Sequence, residues 1–295
     1  MQPLRPGGTL MANHHGPNEL QQAQHHQSCE QAPGLREGGG ELFRPPHRPG
    51  QNCSEGHQRQ NHLANSAMDG GKAICLTANN NLDLWDFEFE KPAPKISGDN
   101  AFPKLITIPT TAGTGAETES TGMVTDSKKA MKFCVWHPEL KPSLALLDPE
   151  LTLGLPTNMT AWTGADALVH AIEAFLVPGF NPLCDAMALE ALSLISTWLP
   201  IAVAEPTNLA ARGGMHMGSC LAGISFLKGL GLVHAISHMI GAEFNTHHGL
   251  TNAIILPVVL RFNLPSMEDK VRRMAEAMKL PDHSVNGFIH SVEAL

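Results

Sequence analysis

The sequence predicts a partial α/β domain followed by an all-helical domain, with a disordered segment at the N-terminus. Three observations support this fold class. Residues 1–65 are rich in Gln, His, Gly and Pro and contain few large apolar residues. Short β-rich runs that end at proline or charged residues occur between residues 66 and 155. From residue 156 to residue 295, apolar residues recur at helical spacing.

Length, net charge and cysteine content limit the classes of function that this protein can have. The 295 residues suffice for about two domains. The net charge of -8, with no basic stripe, argues against nucleic acid as a partner. No apolar run reaches the roughly 18 residues of a membrane span, so we expect no membrane partner. The six cysteines form no Cys-x-x-Cys pair and no secretory signal is evident, which predicts free thiols and a cytoplasmic location.

The segment 1–65 is predicted to be disordered, because so few apolar side chains cannot offset the entropy lost on ordering. It contains seven histidines, including two adjacent pairs. A metal-catching tail is one interpretation, and a solvated low-complexity extension is the interpretation we favour.

The sequence predicts one helix, three strands and then a series of helices after residue 65. A helix is predicted from Ser66, its cap, with Asp69 at its third position. Strands are predicted at 104–108, 131–135 and 144–147. Helices are predicted at 156–177, 182–204, 208–226, 232–244, 249–262 and 267–278, and a short helix is expected after Ser284.

Four residues with metal-binding chemistry lie in the helical part. Asp166 and His170 are four residues apart, so they share one helix face. His234, the third of the four, repeats this step with His238, and we do not assign both as ligands. His248, the fourth, lies at a predicted helix start. One carboxylate with three imidazoles completes the ligand shell of a divalent transition metal. Apolar residues flank each of these groups, so each buried polar side chain needs a partner.

Glu173 follows Asp166 by seven residues and shares its helix face. It could orient a metal-bound imidazole by accepting the proton of the second ring nitrogen. A carboxylate on the helix surface is the alternative, and the sequence does not decide between them.

The loop at residues 109–117 reads Pro-Thr-Thr-Ala-Gly-Thr-Gly-Ala-Glu and follows a predicted strand. Glycines let backbone amides approach an anion closely, and threonine hydroxyls add donors. The loop therefore fits a pyrophosphate or nicotinamide-ribose cradle, or else an ordinary tight connection. It is neither the Gly-x-Gly-x-x-Gly fingerprint nor a P-loop.

Three motifs carry a resemblance to a known family. They are the loop at 109–117, the run Thr-Gly-Ala-Asp-Ala-Leu-Val-His-Ala-Ile-Glu at 163–173, and Gly-Leu-Val-His-Ala-Ile-Ser-His at 231–238 running on to His248-Gly249. With their order and spacing, residues 66 to about 280 resemble the iron-containing (group III) alcohol dehydrogenases. The resemblance implies that residues 66–155 are a remnant of a nucleotide-binding domain and that residues 156–295 form the metal-binding catalytic domain.

The resemblance also implies residue roles. Divalent iron, with zinc as a common substitute, would be bound by Asp166, His170, His234 and His248. His238 would be a non-ligand active-site histidine that relays a proton. NAD or NADP would be bound by Ser66, Asp69, Thr110, Thr111, Gly113, Thr114, Thr121 and Lys132. The implied reaction moves a hydride between a small alcohol or aldehyde and the nicotinamide, and the resemblance leaves a homo-oligomer open.

This chain departs from the family pattern before Ser66, where the family's three glycines are replaced by His62-Leu-Ala-Asn65. The segment 1–65 also stands where the family has the first strands of its cofactor domain, and the chain ends earlier than the family's helical domain. We therefore expect an impaired dehydrogenase, with a non-catalytic metal-binding remnant as the alternative. A hydrolase using metal-activated water is a minor third interpretation, disfavoured by the loop at Thr110.

Overall fold

A computed structural model describes residues 67–96, 102–126, 128–129, 131–244 and 246–295. The predicted leader, residues 1–65, and the cap Ser66 lie outside the described residues. Within them, a small α/β part precedes a helical part, and the predicted fold class is confirmed.

The α/β part begins with helix α1 at residues 67–77, in the predicted position. Four strands follow it: β1 (Ile106–Thr107), β2 (Thr121–Asp126), β3 (Met131–Trp136) and β4 (Leu144–Ala145). Strands β1 and β4 are parallel, whereas β2 and β3 form an antiparallel pair. Leu76 of α1 and Val135 of β3 pack with Phe87 and Leu140 in a small hydrophobic core.

The strands differ from the prediction in two ways. Strand β2 was not predicted, because only Met123 and Val124 among its six residues are large and apolar. The predicted strands at 104–108 and 144–147 are reduced to two paired residues each. On this short pair, Ile106 and Leu144 lie opposite each other and are 58% and 51% exposed.

Seven α-helices lie in the described part of the chain after residue 156. The bounds of the first six lie within two residues of the predicted ones, and the seventh follows Ser284 as expected. They are α2 (Thr157–Leu176), α3 (Pro182–Ala204), α4 (Leu209–Ser225), α5 (Leu232–Phe244), α6 (His248–Asn263), α7 (Glu268–Ala277) and α8 (Val285–Ala294). Side chains cap several of their N-termini: Asn181 accepts from the Cys184 amide at 3.2 Å, and Asn208 from the Ala211 amide at 3.1 Å.

Helix α2 lies at the centre of the helical part. It contacts α3, α4 and α6, and every residue from 166 to 176 is buried. A helix buried on all sides is normally apolar all round. Three buried residues in this stretch are polar or charged instead: Asp166, His170 and Glu173. Each of these polar groups therefore requires a partner inside the protein, and these partners define the site described below.

Among the described residues, α3 is long and apolar enough to cross a membrane. The bent pair Leu209–Lys228 and Leu232–Gly241 meets the same criterion when taken together. Helix α3 packs against α2 and α4, with Ala188, Leu192 and Ile195 fully buried. One third of its apolar window is buried inside the protein.

Candidate metal centre

Three helices bring a carboxylate and two imidazoles together. Asp166 lies in the middle of α2, His234 in the first turn of α5, and His248 is the first residue of α6. The Oδ1 atom of Asp166 lies 3.8 Å from His234 Nε2 and 3.5 Å from His248 Nε2. One donor atom from each residue lies within 4.8 Å of the other two. This donor set fits a divalent transition metal.

His170, the fourth predicted ligand, lies one turn after Asp166 on α2. Its buried ring stacks on the His234 ring, with centroids 4.5 Å apart, and also contacts Phe226 at 4.9 Å. It is not a member of the tight group of three. The structure places His170 beside this group, and its role as a ligand stays a prediction.

Glu173 holds both the backbone and the ring of His234. Its carboxylate accepts hydrogen bonds from the backbone amides of Gly231 at 3.0 Å and Val233 at 2.6 Å, and so caps the start of α5. Its Oε2 also lies 2.7 Å from His234 Nδ1. A proton donated from Nδ1 to this carboxylate leaves the Nε2 lone pair directed at Asp166.

Burial and neighbouring charges set the protonation of the cluster. Burial alone would raise the pKa of the Asp166 carboxyl, but the surrounding His170, His248 and His234 rings lower it to about 2. Burial, with the neighbouring His170, lowers the pKa of His234 well below its usual range. An ionised carboxylate and a neutral imidazole are the protonation states that a metal ion requires.

Asn252 also belongs to this site, although the sequence-based prediction did not include it. It is fully buried on α6, one turn after His248. Its Nδ2 donates to Asp166 Oδ1 at 2.7 Å and lies 3.1 Å from His248 Nε2. The available signal was the four-residue step from His248 to Asn252, which matches the step from Asp166 to His170.

His238, predicted as a proton relay, lies at the exposed side of the cluster. His238 is an exposed residue of α5, and its ring stacks on the His248 ring with centroids 5.1 Å apart. The His234 ring lies 5.9 Å away, edge-on. The His238 ring thus lies between this cluster and solvent, and its role as a proton relay stays a prediction.

The threonine- and glycine-rich loop reaches across to the helical part. A Cβ at Gly113 would lie 2.9 Å from the Cβ of Thr163 on α2. Gly115 has a φ of 67°, and a Cβ there would lie 2.6 Å from the Cα of Gly223 on α4. Burial lowers the pKa of His170, and the Gly113 backbone opposes this effect. The predicted cofactor loop therefore lies next to the histidine cluster.

An open cleft of about 280 Å³ lies between α1 and residues 105–108 around strand β1, and Thr110 at the start of the loop lines it together with Met68, Gly71 and Thr107. Thr111 and Thr114 are half-buried in the same loop. The hydroxyl groups and glycine along this cleft fit a cofactor phosphate or ribose. Contacts to a cofactor stay a prediction for these residues.

Asp69, Thr121 and Lys132 lie on α1, β2 and β3 around the buried Lys72. The Lys72 ammonium group donates to the carbonyl oxygens of Ala116 at 2.7 Å and Thr121 at 2.8 Å. Burial raises the pKa of Asp69, with Lys72 and Lys132 opposing. The structure thus collects three predicted cofactor residues in one region, and their role as cofactor ligands stays a prediction.

Fold and site together define a metalloprotein class in which an α/β part with a glycine- and threonine-rich loop precedes a helical metal-binding part. Residues 65–149 match the family model of the iron-containing alcohol dehydrogenases. Residues 160–295 match the model of the C-terminal part of the Fe-containing alcohol dehydrogenase family. The chain therefore belongs to the iron-containing alcohol dehydrogenase family.

Individual relatives agree with this assignment. The chain is 39% identical over 228 residues to an NAD-dependent methanol dehydrogenase of Bacillus methanolicus, covering 76% of this chain and 57% of the relative. It is 43% identical over 215 residues to a 1-propanol dehydrogenase of Salmonella typhimurium, covering 72% of this chain and 54% of the relative. The chain thus spans little more than half the length of these curated relatives.

Among solved structures, the sulfoacetaldehyde reductase of Bifidobacterium kashiwanohense in complex with NAD+ superposes with a TM-score of 0.71. It is 31% identical to this chain, and the match covers 80% of this chain and 63% of that structure.

Proposed function

We propose that this chain binds a divalent metal ion, iron or zinc, through Asp166, His234 and His248, with His170 as the fourth ligand. We further propose that it acts as an NAD- or NADP-dependent alcohol dehydrogenase. The observation that carries this proposal is the convergence of one carboxylate and two imidazole nitrogens from three helices. The family membership and the adjacent glycine-rich loop support it.

Such an ion, when bound, draws electron density from an alcohol or carbonyl oxygen and lowers the pKa of the alcohol. The residues of this chain orient a metal ligand, exchange a proton and hold the cofactor. Glu173 fixes the orientation of His234, and His238 exchanges a proton with solvent at the exposed side. The loop that carries Thr110 and Gly113 would hold the nicotinamide cofactor, which when bound would supply hydride chemistry.

The substrate and cofactor classes are proposed from the relatives. The named relatives act on methanol and 1-propanol, and one structure contains NAD+. We therefore propose a small alcohol or aldehyde as substrate and NAD as the first cofactor to test, with NADP as the second. We also propose a cytoplasmic protein with no nucleic-acid or membrane partner, in keeping with the net charge of -8 and the free Cys75, Cys134, Cys184 and Cys220.

A second candidate function is metal binding without catalysis. It is favoured by the close group of donor atoms from three helices, which forms without a bound cofactor. A chain that keeps the metal cluster and lacks cofactor affinity would still bind an ion through Asp166, His234 and His248.

Elemental analysis tests the metal site. We expect the purified 295-residue chain to retain iron or zinc, and Asp166→Ala and His248→Ala to lose most of it. His290→Ala is the matched control, because His290 is exposed on α8 and is expected to leave the metal content unchanged. Full metal retention in both Asp166→Ala and His248→Ala would overturn the ligand assignment.

Isothermal titration with NAD and NADP separates the two functions. Heat on adding either cofactor, together with alcohol-dependent reduction of the nicotinamide, supports the dehydrogenase. Metal retention with no heat at millimolar cofactor instead supports the non-catalytic metal-binding protein.

A further inference from the structure

The side-chain nitrogen of Asn252 faces one donor atom of each residue in the candidate group of three, Asp166, His234 and His248. The Nδ2 atom of Asn252 lies 2.7 Å from Asp166 Oδ1, 3.1 Å from His248 Nε2 and 3.3 Å from His234 Nε2. These three residues are the same ones that form the candidate metal group. Asn252 is fully buried, so no solvent shares these contacts.

The hydrogen bonding of this amide is incomplete. An amide nitrogen has two protons, and here it faces three acceptors. The Oδ1 atom of Asn252 is buried and has no hydrogen-bond partner among the described residues. The short bond to the ionised Asp166 carboxylate is the strongest contact that holds the side chain in place. A group packed only for stability would satisfy its carbonyl oxygen as well.

An amide proton and a divalent ion need the same lone pair on a histidine Nε2, which has only one. Asp166 Oδ1 has a second lone pair, so it can accept the amide proton and bind an ion at once. An ion bound by His234 and His248 must therefore displace the Nδ2 of Asn252 from their Nε2 atoms.

We propose that Asn252 competes with the metal ion for the Nε2 atoms of His234 and His248, and thereby sets the affinity of the site. An ion bound by both imidazoles requires the amide to turn away from them. This inference rests on the proposed metal-binding function of the cluster. The opposite role, in which a turned amide presents Oδ1 to the ion as a further ligand, predicts the opposite change in affinity.

Two variants of the full chain distinguish these roles. Asn252→Ala removes the side chain, and Asn252→Leu keeps a similar volume without the polar atoms. The dissociation constant for Zn²⁺ is measured by competition with a chromophoric chelator. If Asn252 competes, both variants bind Zn²⁺ at least about tenfold more tightly, because no amide proton has to leave the two histidine nitrogens. Unchanged or weaker binding in both variants overturns the proposal.

Asn263→Ala is the matched control, since it makes the same change on α6 eleven residues further along, outside the cluster. We expect wild-type Zn²⁺ affinity from it. Melting temperatures provide a second readout that does not depend on catalysis. In a chelator, Asn252→Ala and Asn252→Leu should melt below the wild type, and saturating Zn²⁺ should raise their melting temperatures by more than it raises that of the wild type.

The Zn²⁺ measurements distinguish a failure of the proposed competition from a failure of the proposed metal binding. If the wild type binds Zn²⁺ and the Asn252 variants bind it no more tightly, only the competition is wrong. If neither the wild type nor the variants bind Zn²⁺, the metal-binding function is wrong and the competition with it.

Discussion

The carboxylate of Glu173 accepts a hydrogen bond from Nδ1 of His234 across 2.7 Å, and the same carboxylate caps the helix on which His234 lies. Orientation of the ring and formation of the first turn of α5 therefore depend on one side chain. The two functions cannot be lost separately by a change at Glu173.

Glu173→Gln should weaken metal binding by about ten- to hundredfold, because the neutral amide holds the His234 ring less firmly. It should also lower the melting temperature, because two backbone amides at the start of α5 lose a charged acceptor. Chelator competition and thermal unfolding measure these effects. Glu190→Gln, an exposed change on α3, serves as the control. Wild-type metal affinity in Glu173→Gln would show that His234 needs no orienting partner.

Gly115→Ala should destabilise the protein by at least about 2 kcal/mol. Gly115 has a positive φ, and the added methyl group would meet the backbone of Gly223 on α4 at 2.6 Å. Gly70→Ala on α1 is the contrasting variant, because a Cβ there meets nothing within 4 Å and alanine favours a helix. Urea unfolding measures both. Equal stability of the two variants would contradict the close approach of the loop to α4.

The carboxyl of Glu119 should make the stability depend on pH. Burial raises its pKa to about 7, with Lys72 and the Thr121 hydroxyl, 2.5 Å away, opposing and with Asp69 and Glu117 adding to the rise. Because the folded state binds this proton more tightly than the unfolded state, the contribution to stability is complete below the ordinary pKa of 4.5 and is lost as pH rises through about 7.

Glu119→Gln, which stays neutral, should therefore match the wild type near pH 4.5 and exceed its stability by about 1–3 kcal/mol at pH 8. Urea unfolding at a series of pH values measures this difference. Glu139→Gln, at an exposed position, should follow the wild type throughout. A constant difference between Glu119→Gln and the wild type at every pH would refute the raised pKa.

The helical part could be predicted closely because its signal is local. The 3.6-residue period places the ends of α2 to α7 within two residues. Strand β2 was not predicted, because its pairing with β3 selects it and that contact is not local in sequence. The two-residue lengths of β1 and β4 likewise depend on which residues face each other, as Ile106 and Leu144 do.

The site could be predicted in part. A four-residue step places Asp166 and His170 on one face of a helix in any fold. The approach of His234 and His248 to Asp166 depends instead on how α5 and α6 pack on α2. The same packing turns Glu173 from a surface carboxylate, which the sequence allowed, into a buried acceptor. Asn252 was missed because a single amide in an apolar run does not reveal what it will face.

The uncovered strand pair β1 and β4 affects how the protein behaves in concentrated solution. Ile106 and Leu144 present neighbouring aliphatic groups to water on a pair too short to resist distortion. High concentrations of sulfate, which strengthen apolar association, should promote reversible clustering of molecules through this surface. Storage at low ionic strength, or with a mild detergent, should keep the molecules apart.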